Sequence, residues 1–204
     1  MAKPINPSYK GKLVLISGPS GVGKGTVISA LKKQYSQFVY PISETTRQIR
    51  PGEKDGEVYH FISKEAFLQA KAAGDFLEVA TVHQDNYYGT LKKPIMDALE
   101  AGRVVVREVD MQGFLSIKAV IPAENLVSIF LEAENMEELQ KRIAHRGQLP
   151  AEELARRMES ASKELAIAHM YDYRAKSLEN QIDRCVADVE KIILDEAEKG
   201  GLRI

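Results

Sequence analysis

Leu13-Val14-Leu15-Ile16-Ser17-Gly18-Pro19-Ser20-Gly21-Val22-Gly23-Lys24-Gly25-Thr26 is the stretch on which the fold turns. It opens on a short apolar run rich in branched side chains. Such a run reads as a strand covered on both faces, as in a parallel sheet. A glycine-rich turn follows. Beyond it Val27, Ala30 and Leu31 recur at helical spacing over 26–35. The order is strand, glycine loop, helix.

Gly18 to Lys24 fits G-x-x-x-x-G-K in the strand-to-helix context that this pattern requires. Backbone N–H groups must turn inward around phosphate oxygens, and glycine leaves them room. The helix N-terminus adds donors and a favourable dipole. Gly18, Pro19, Ser20, Gly21, Val22, Gly23, Lys24, Gly25 and Thr26 are therefore the candidate nucleotide-binding residues. Lys24 would neutralise the β- and γ-phosphates. The pattern expects a hydroxyl after the lysine, but Gly25 stands there and Thr26 comes next. A metal must then be held through water, through Thr26, or by carboxylates elsewhere.

Outward from this unit, 104–109 and 126–131 read as further buried strands. Helices are expected over 94–101, 112–120, 136–145, 151–169 and 186–197. The alternation implies a parallel α/β sheet with ligands at the strand C-terminal ends. Residues 41–92 differ, with short alternating stretches, turns and a helix near 64–73. They read as an inserted β-rich lobe. The stretch Arg174-Ala175-Lys176-Ser177-Leu178-Glu179-Asn180 is polar and does not read as a buried strand.

The 204 residues are 44% hydrophobic and 28% charged, which fits one globular domain and excludes a disordered or coiled-coil chain. Lys and Arg number 28 against 29 Asp and Glu. That balance disfavours a general nucleic-acid binder. Cys185 stands alone, so no internal disulfide and no cysteine zinc cluster can form, and a cytoplasmic setting fits. It reads as a packed helix residue. The four histidines are scattered without metal-ligand spacing. Residues 1–11 read as a loose tail and not as a signal peptide, and no run suits a membrane span. Monomer and homo-oligomer both stay open.

Glu108 and Asp110 end the second strand and, two apart, share a face. They read either as holders of magnesium-bound water or as ordinary strand-end solvation. Arg142 and Arg146 are four apart on one helix face, with Arg157 beyond. They read either as cations of a mobile lid that closes over a transferring phosphoryl group, or as a solvated basic face.

Several stretches together resemble the guanylate kinase type of nucleoside-monophosphate kinase. They are residues 17–26, Thr45-Thr46-Arg47-Gln48-Ile49-Arg50-Pro51-Gly52-Glu53, Asn86-Tyr87-Tyr88-Gly89-Thr90, Glu108-Val109-Asp110-Met111-Gln112-Gly113, and the 142–147 lid pattern. The likeness covers about 12–170 in the same order. It implies an α/β fold: a P-loop kinase core with a parallel sheet flanked by helices, plus an inserted β-rich lobe and a small helical lid. It implies a core of about 12–40, 93–131 and 161–204, a GMP-binding lobe of about 41–92 and a lid of about 132–160.

The resemblance also implies the reaction of ATP with GMP to give ADP and GDP, with Mg2+. Arg47, Arg50, Tyr59 and Tyr88 would hold the GMP phosphate, as arginine forks and tyrosine hydroxyls suit phosphate oxygens. Glu78, Thr90 and Ser43 would read guanine, with the carboxylate accepting from N1–H and the exocyclic amine. Asp110 would lie near the GMP ribose and the metal. Thr26, Glu108 and Asp110 are the metal candidates, and Lys24, Arg47, Arg142, Arg146 and Arg157 the catalytic ones.

The chain departs from the family at Glu44, at Val79, in the length of 83–86, and at 174–180, where an apolar strand is usual. Two rival readings stay beside the kinase: a guanylate-kinase-like binding module, and a kinase for another monophosphate.

Overall fold

The computed structural model describes residues 9–82, 86–145, 150–202 and 204. The tail at 1–8, the 83–85 departure, and the residues at 146–149, Arg146 among them, lie outside the described residues.

The main sheet is built on β1 (Lys12–Ser17). It is flanked by β6 (Val104–Glu108) and β7 (Leu126–Glu132), with β8 (Tyr173–Lys176) beyond β7. The order is β6-β1-β7-β8, and every pair is parallel. Alternate residues of β1 feed two cores. Val14 and Ile16 pack with Val27 and Leu31 of α1 (Lys24–Gln34) and Val189 and Ile193 of α7 (Ile182–Lys199). Leu13 and Leu15 pack with Ile95 and Leu99 of α3 (Lys92–Glu100) and Phe114 and Ile117 of α4 (Met111–Lys118). Helices on both faces explain why the strand reads as an unbroken apolar run. Cys185 is buried in the α7 face, as its packing role requires.

The expected inserted lobe contains a second sheet. It comprises β2 (Ser43–Thr45), β3 (Tyr59–Phe61), β4 (Phe76–Val82) and β5 (Asn86–Leu91), in the order β3-β2-β5-β4. The β2–β3 pair is parallel and the other pairs are antiparallel. Helix α2 (Lys64–Ala73) covers it. Ser63 caps that helix by accepting from the Ala66 N–H at 3.1 Å. Phe67 of α2 stacks on Phe76 and on Tyr87, with centroids 4.4 and 5.4 Å apart.

Two expectations are corrected. The polar stretch after Tyr173 does form a strand, β8, paired with β7 from Ile129↔Tyr173 to Glu132↔Lys176. An edge strand needs to bury only alternate residues. Ala175 is buried while Arg174 and Lys176 face out. Asp172 fixes its start, accepting from the Ser128 N–H at 2.8 Å and the Ser128 hydroxyl at 2.6 Å. The helix expected over 151–169 is also shorter. α6 is Ala151–Ala166, and a 3-10 turn follows over Ala168–Met170. The turn delivers Tyr171 into the core, where it stacks on Phe114 at 3.8 Å and donates to the Ser17 hydroxyl at 3.0 Å. The remaining helix, α5 (Met136–His145), has its expected bounds.

Gly18 leaves no room for a side chain. Its φ is +138°, and an added Cβ would lie 2.3 Å from the Leu131 carbonyl oxygen. Both features exclude a side chain. Gly18→Ala is expected to lower the unfolding free energy by more than about 2 kcal/mol, read by urea denaturation.

Among the described residues no helix is long and apolar enough to cross a membrane.

Candidate active site

The C-terminal ends of β1 and β6 open onto a cleft of about 840 Å³ between the two sheets. On its floor the chain leaves β1 through Gly18 and turns at Gly21 and Gly23, whose φ values are +86° and +105°. α1 then starts at Lys24 with a first turn free of acids, so its N–H groups and dipole favour an anion. Ser20, Gly21, Gly23, Lys24 and Gly25 line the cleft. Val22 is buried, so only its backbone is available, and its N–H donates to the Pro19 carbonyl at 3.2 Å. Lys24 folds over the loop. Its Nζ donates to the carbonyls of Gly18 and of Pro19, the latter at 3.2 Å, and lies 3.8 Å from Glu108 Oε1.

Glu108, half exposed at 49%, and Asp110 both line the cleft. Asp110 also caps α4, accepting from the Gly113 N–H at 2.7 Å. Thr26 is exposed and does not line the cleft. No cluster of three or more His, Cys, Asp or Glu that could hold a metal occurs among the described residues. Magnesium does not need one, since it commonly keeps several waters and takes one or two carboxylates plus phosphate oxygens. Glu108 and Asp110 beside the phosphate loop fit that donor set.

Across the cleft, Ser43, Glu78 and Thr90 meet around a residue the sequence reading passed over, Arg107 of β6. Glu78 Oε1 accepts from the Thr90 hydroxyl at 2.6 Å and from Arg107 Nη2 at 2.9 Å. The same Nη2 donates to the Ser43 hydroxyl at 3.0 Å. The Glu78 and Arg107 side chains are each only 10% exposed. A charged side chain directly after the apolar run Val104-Val105-Val106 was the available signal.

Tyr59 and Tyr88 meet edge to face at 5.4 Å on the cleft wall. Arg47 lies over the Tyr59 and Phe61 rings at 5.6 and 5.4 Å. Its guanidinium makes a fork to Glu53, with bonds of 3.0 and 2.9 Å. Glu53 also accepts from the Arg50 N–H at 2.9 Å. The Arg47 guanidinium first, then that backbone N–H, hold the Glu53 carboxyl below the ordinary range. Glu53 thus sets the aim of Arg47, a role that spacing alone did not disclose. The Arg50 side chain is exposed and off the cleft wall. Burial, more than the neighbouring Tyr88, pushes the Tyr59 hydroxyl up.

The two described lid arginines, Arg142 and Arg157, do not line the cleft. Arg142 pairs with Glu138 and donates to the Ser177 hydroxyl at 3.2 Å. Its neighbour Ile143 packs on the phosphate loop, where a Cβ at Gly21 would lie 2.9 Å from Ile143 Cγ1. Arg157 pairs with Glu153 one turn back, at 2.9 Å.

Two turns along α6 from Arg157, Glu164 lines the cleft, and the sequence reading did not single it out. Burial pushes its carboxyl up, Lys24 and the Ser160 hydroxyl pull it back in part, and Asp110 adds to the rise. A carboxyl raised in the folded state binds its proton more tightly folded than unfolded. Its contribution to stability is therefore most favourable at low pH and declines as pH rises above its ordinary value of 4.5. Glu53, Glu65, Glu159 and Glu196 are lowered, so their loss of stability falls at more acid pH. Glu164→Gln is expected to raise the thermal midpoint at about pH 7, with the gain vanishing below about pH 4.

A family model described as guanylate kinase matches residues 10–196. Among curated relatives, the guanylate kinase of Clostridium perfringens is 41% identical over 196 residues, covering 96% of this chain and 88% of that protein. The guanylate kinase of Trichormus variabilis is 42% identical over 167 residues, 82% of each chain. Among solved structures, guanylate kinase from Anaplasma phagocytophilum superposes with a TM-score of 0.71 at 29% identity, covering 94% of this chain and 88% of that one. A phosphate loop facing a carboxylate pocket across one cleft is thus joined to likeness along nearly the whole chain, and the chain belongs to the guanylate kinase family.

Proposed function

We infer that this chain transfers the γ-phosphoryl group of ATP to the phosphate of GMP, giving ADP and GDP. The observation that carries this reading is that Lys24 and Glu78 line the same cleft. One end is built for a phosphate chain, and the other presents a carboxylate to a base.

The phosphate loop and Lys24 bind the β- and γ-phosphates of ATP. Ser43, Glu78 and Thr90 bind guanine. Arg47, aimed by Glu53, takes the GMP phosphate with Arg50, Tyr59 and Tyr88. One GMP phosphate oxygen attacks the γ-phosphorus, and the bond from that phosphorus to the bridging oxygen breaks. The acceptor oxygen is already nucleophilic, so positioning and positive charge do most of the work. Lys24 stabilises the charge that builds on the leaving ADP. Arg142, Arg146 and Arg157 belong to a lid of about 132–160 that closes over the core and the 41–92 lobe, which excludes water. In that closure Arg142 and Arg157 leave Glu138 and Glu153 for phosphate.

Glu108 and Asp110 would hold magnesium through its waters, with Thr26 a more distant hydroxyl. Bound there, the ion supplies charge neutralisation on the β- and γ-phosphates. A reducing, cytoplasmic setting suits the buried single thiol of Cys185.

A coupled assay of ADP release with ATP and magnesium tests the reading, with GMP, dGMP, AMP, UMP and dTMP offered separately. Rapid turnover with GMP and dGMP alone is expected. Turnover with a different acceptor would overturn the base assignment. Folded protein that binds GMP without turnover would favour a binding module.

A further inference from the structure

Arg107 stands where the two sheets meet. Its backbone belongs to β6 of the main sheet, and its guanidinium reaches Ser43 of β2 and Glu78 of β4. Both hydrogens of Nη2 are used by those two bonds. Nε is buried without a hydrogen-bond partner. Nη1 makes no hydrogen bond among the described residues, and Arg107 lines the cleft. Burying a guanidinium and leaving donors unmatched disfavours the folded chain. The Nη1 donors are open to a ligand in the cleft that Arg107 lines.

What they meet follows from base chemistry. In guanine, O6 lies next to N1–H. A base whose N1–H engages the Glu78 carboxylate brings O6 alongside the donors bonded to that carboxylate, which are Thr90, whose one hydroxyl proton is already given to Oε1, and Arg107. Adenine carries an amine at position 6, a donor that would face the Arg107 donors. Arginine is also the side chain best matched to guanine O6 and N7.

We propose that Arg107 is a specificity-determining residue of the acceptor pocket, its Nη1 donors reading O6 of a 6-oxopurine monophosphate beside Glu78. The proposal rests on the reading of Glu78 as the base-binding carboxylate. Two charges then divide the base. Glu78 takes its donor edge, and Arg107 takes its acceptor.

A purely structural Arg107 would only hold Glu78 and tie the sheets. Three nucleotides separate the two roles. GMP has O6 and the 2-amine, inosine monophosphate keeps O6, and 2-aminopurine riboside monophosphate keeps only the amine. Dissociation constants are measured by calorimetry for the native protein, Arg107→Met and Arg107→Lys, with steady-state KM and kcat for GMP. Arg107→Met is expected to weaken GMP and inosine monophosphate about 10- to 100-fold, chiefly in KM, and 2-aminopurine riboside monophosphate by less than about twofold. Arg107→Lys keeps a cation for Glu78 and Ser43 but not the fork, and is expected to show the same order. It serves alone if Arg107→Met does not fold.

Equal weakening of all three nucleotides, unchanged GMP affinity, or native behaviour of Arg107→Lys would each overturn the proposal. Glu78→Gln is measured alongside. If it leaves GMP affinity unchanged, the base pocket itself is misassigned. If it weakens GMP while both Arg107 variants bind like the native chain, only the Arg107 inference fails.

Discussion

Lys24→Met is expected to lower kcat for GMP phosphorylation on the order of 10³-fold, while GMP affinity stays within about twofold. Nζ is held over the phosphate loop by the Gly18 and Pro19 carbonyls, 3.8 Å from Glu108. Without the ammonium, two carbonyl dipoles and a carboxylate would face the phosphates, and charge building on the leaving ADP would meet repulsion. Methionine keeps the length of the stem. The side chain is only 14% exposed, and the methionine fills the space of the buried stem. In the proposed reading GMP is held by Glu78 and Arg47 and not by Lys24, which is why its affinity should hold. Initial rates of ADP release at saturating ATP and GMP give kcat, and calorimetry gives the GMP constant. A fall of less than about tenfold would show that Lys24 does not stabilise the transferring phosphates.

The parts that were legible in the sequence share a physical cause. β1 has helices on both faces, so its apolar run could not be otherwise. Gly18 cannot carry a side chain against Leu131, so the loop announced itself in glycine. Some of the parts that were not legible have partners far along the chain. β8 pairs on one side only and is seated by Asp172 on Ser128, a contact across 44 positions. Nothing within 173–176 signals it. Arg107 is hidden because 104–109 reads as one buried run, whereas Arg107 and Glu108 within it leave the core and line the cleft. The arginines of α5 and α6 were visible as charges, but not their present partners. Glu138 and Glu153 each stand one helical turn before them, where such pairs form whether or not the arginine has another use. The fork from Glu53 to Arg47 depends on the turn at Gly52, which spacing alone does not show.

Glu78→Gln is the second large effect, and its size comes from the neighbours of Glu78. Glutamine offers one acceptor and one donor end. Arg107 has no acceptor, so the glutamine oxygen must turn to the position of Oε1, where Arg107 donates at 2.9 Å. The amide NH2 then falls at the position of Oε2, facing the N1–H and 2-amine of guanine. Donors oppose donors in a desolvated pocket, and the expected rise in KM for GMP is about 10²-fold. Adenine presents a lone pair at N1 and gains a partner from the same NH2. Discrimination between GMP and AMP should therefore fall further than GMP affinity alone. Kcat at saturating GMP should change by less than about tenfold, since the phosphate ends are untouched. The thermal midpoint reports whether the loss of the Glu78 charge beside buried Arg107 weakens the fold, and substrate kinetics are compared well below it. In Glu78→Gln combined with Arg107→Met, the amide is free to turn its oxygen to the base. The combined loss in GMP affinity should then be smaller than the product of the two single losses. Simple multiplication of the two would separate Arg107 from the orientation of residue 78. An unchanged KM for GMP in Glu78→Gln would leave base recognition to Ser43 and Thr90.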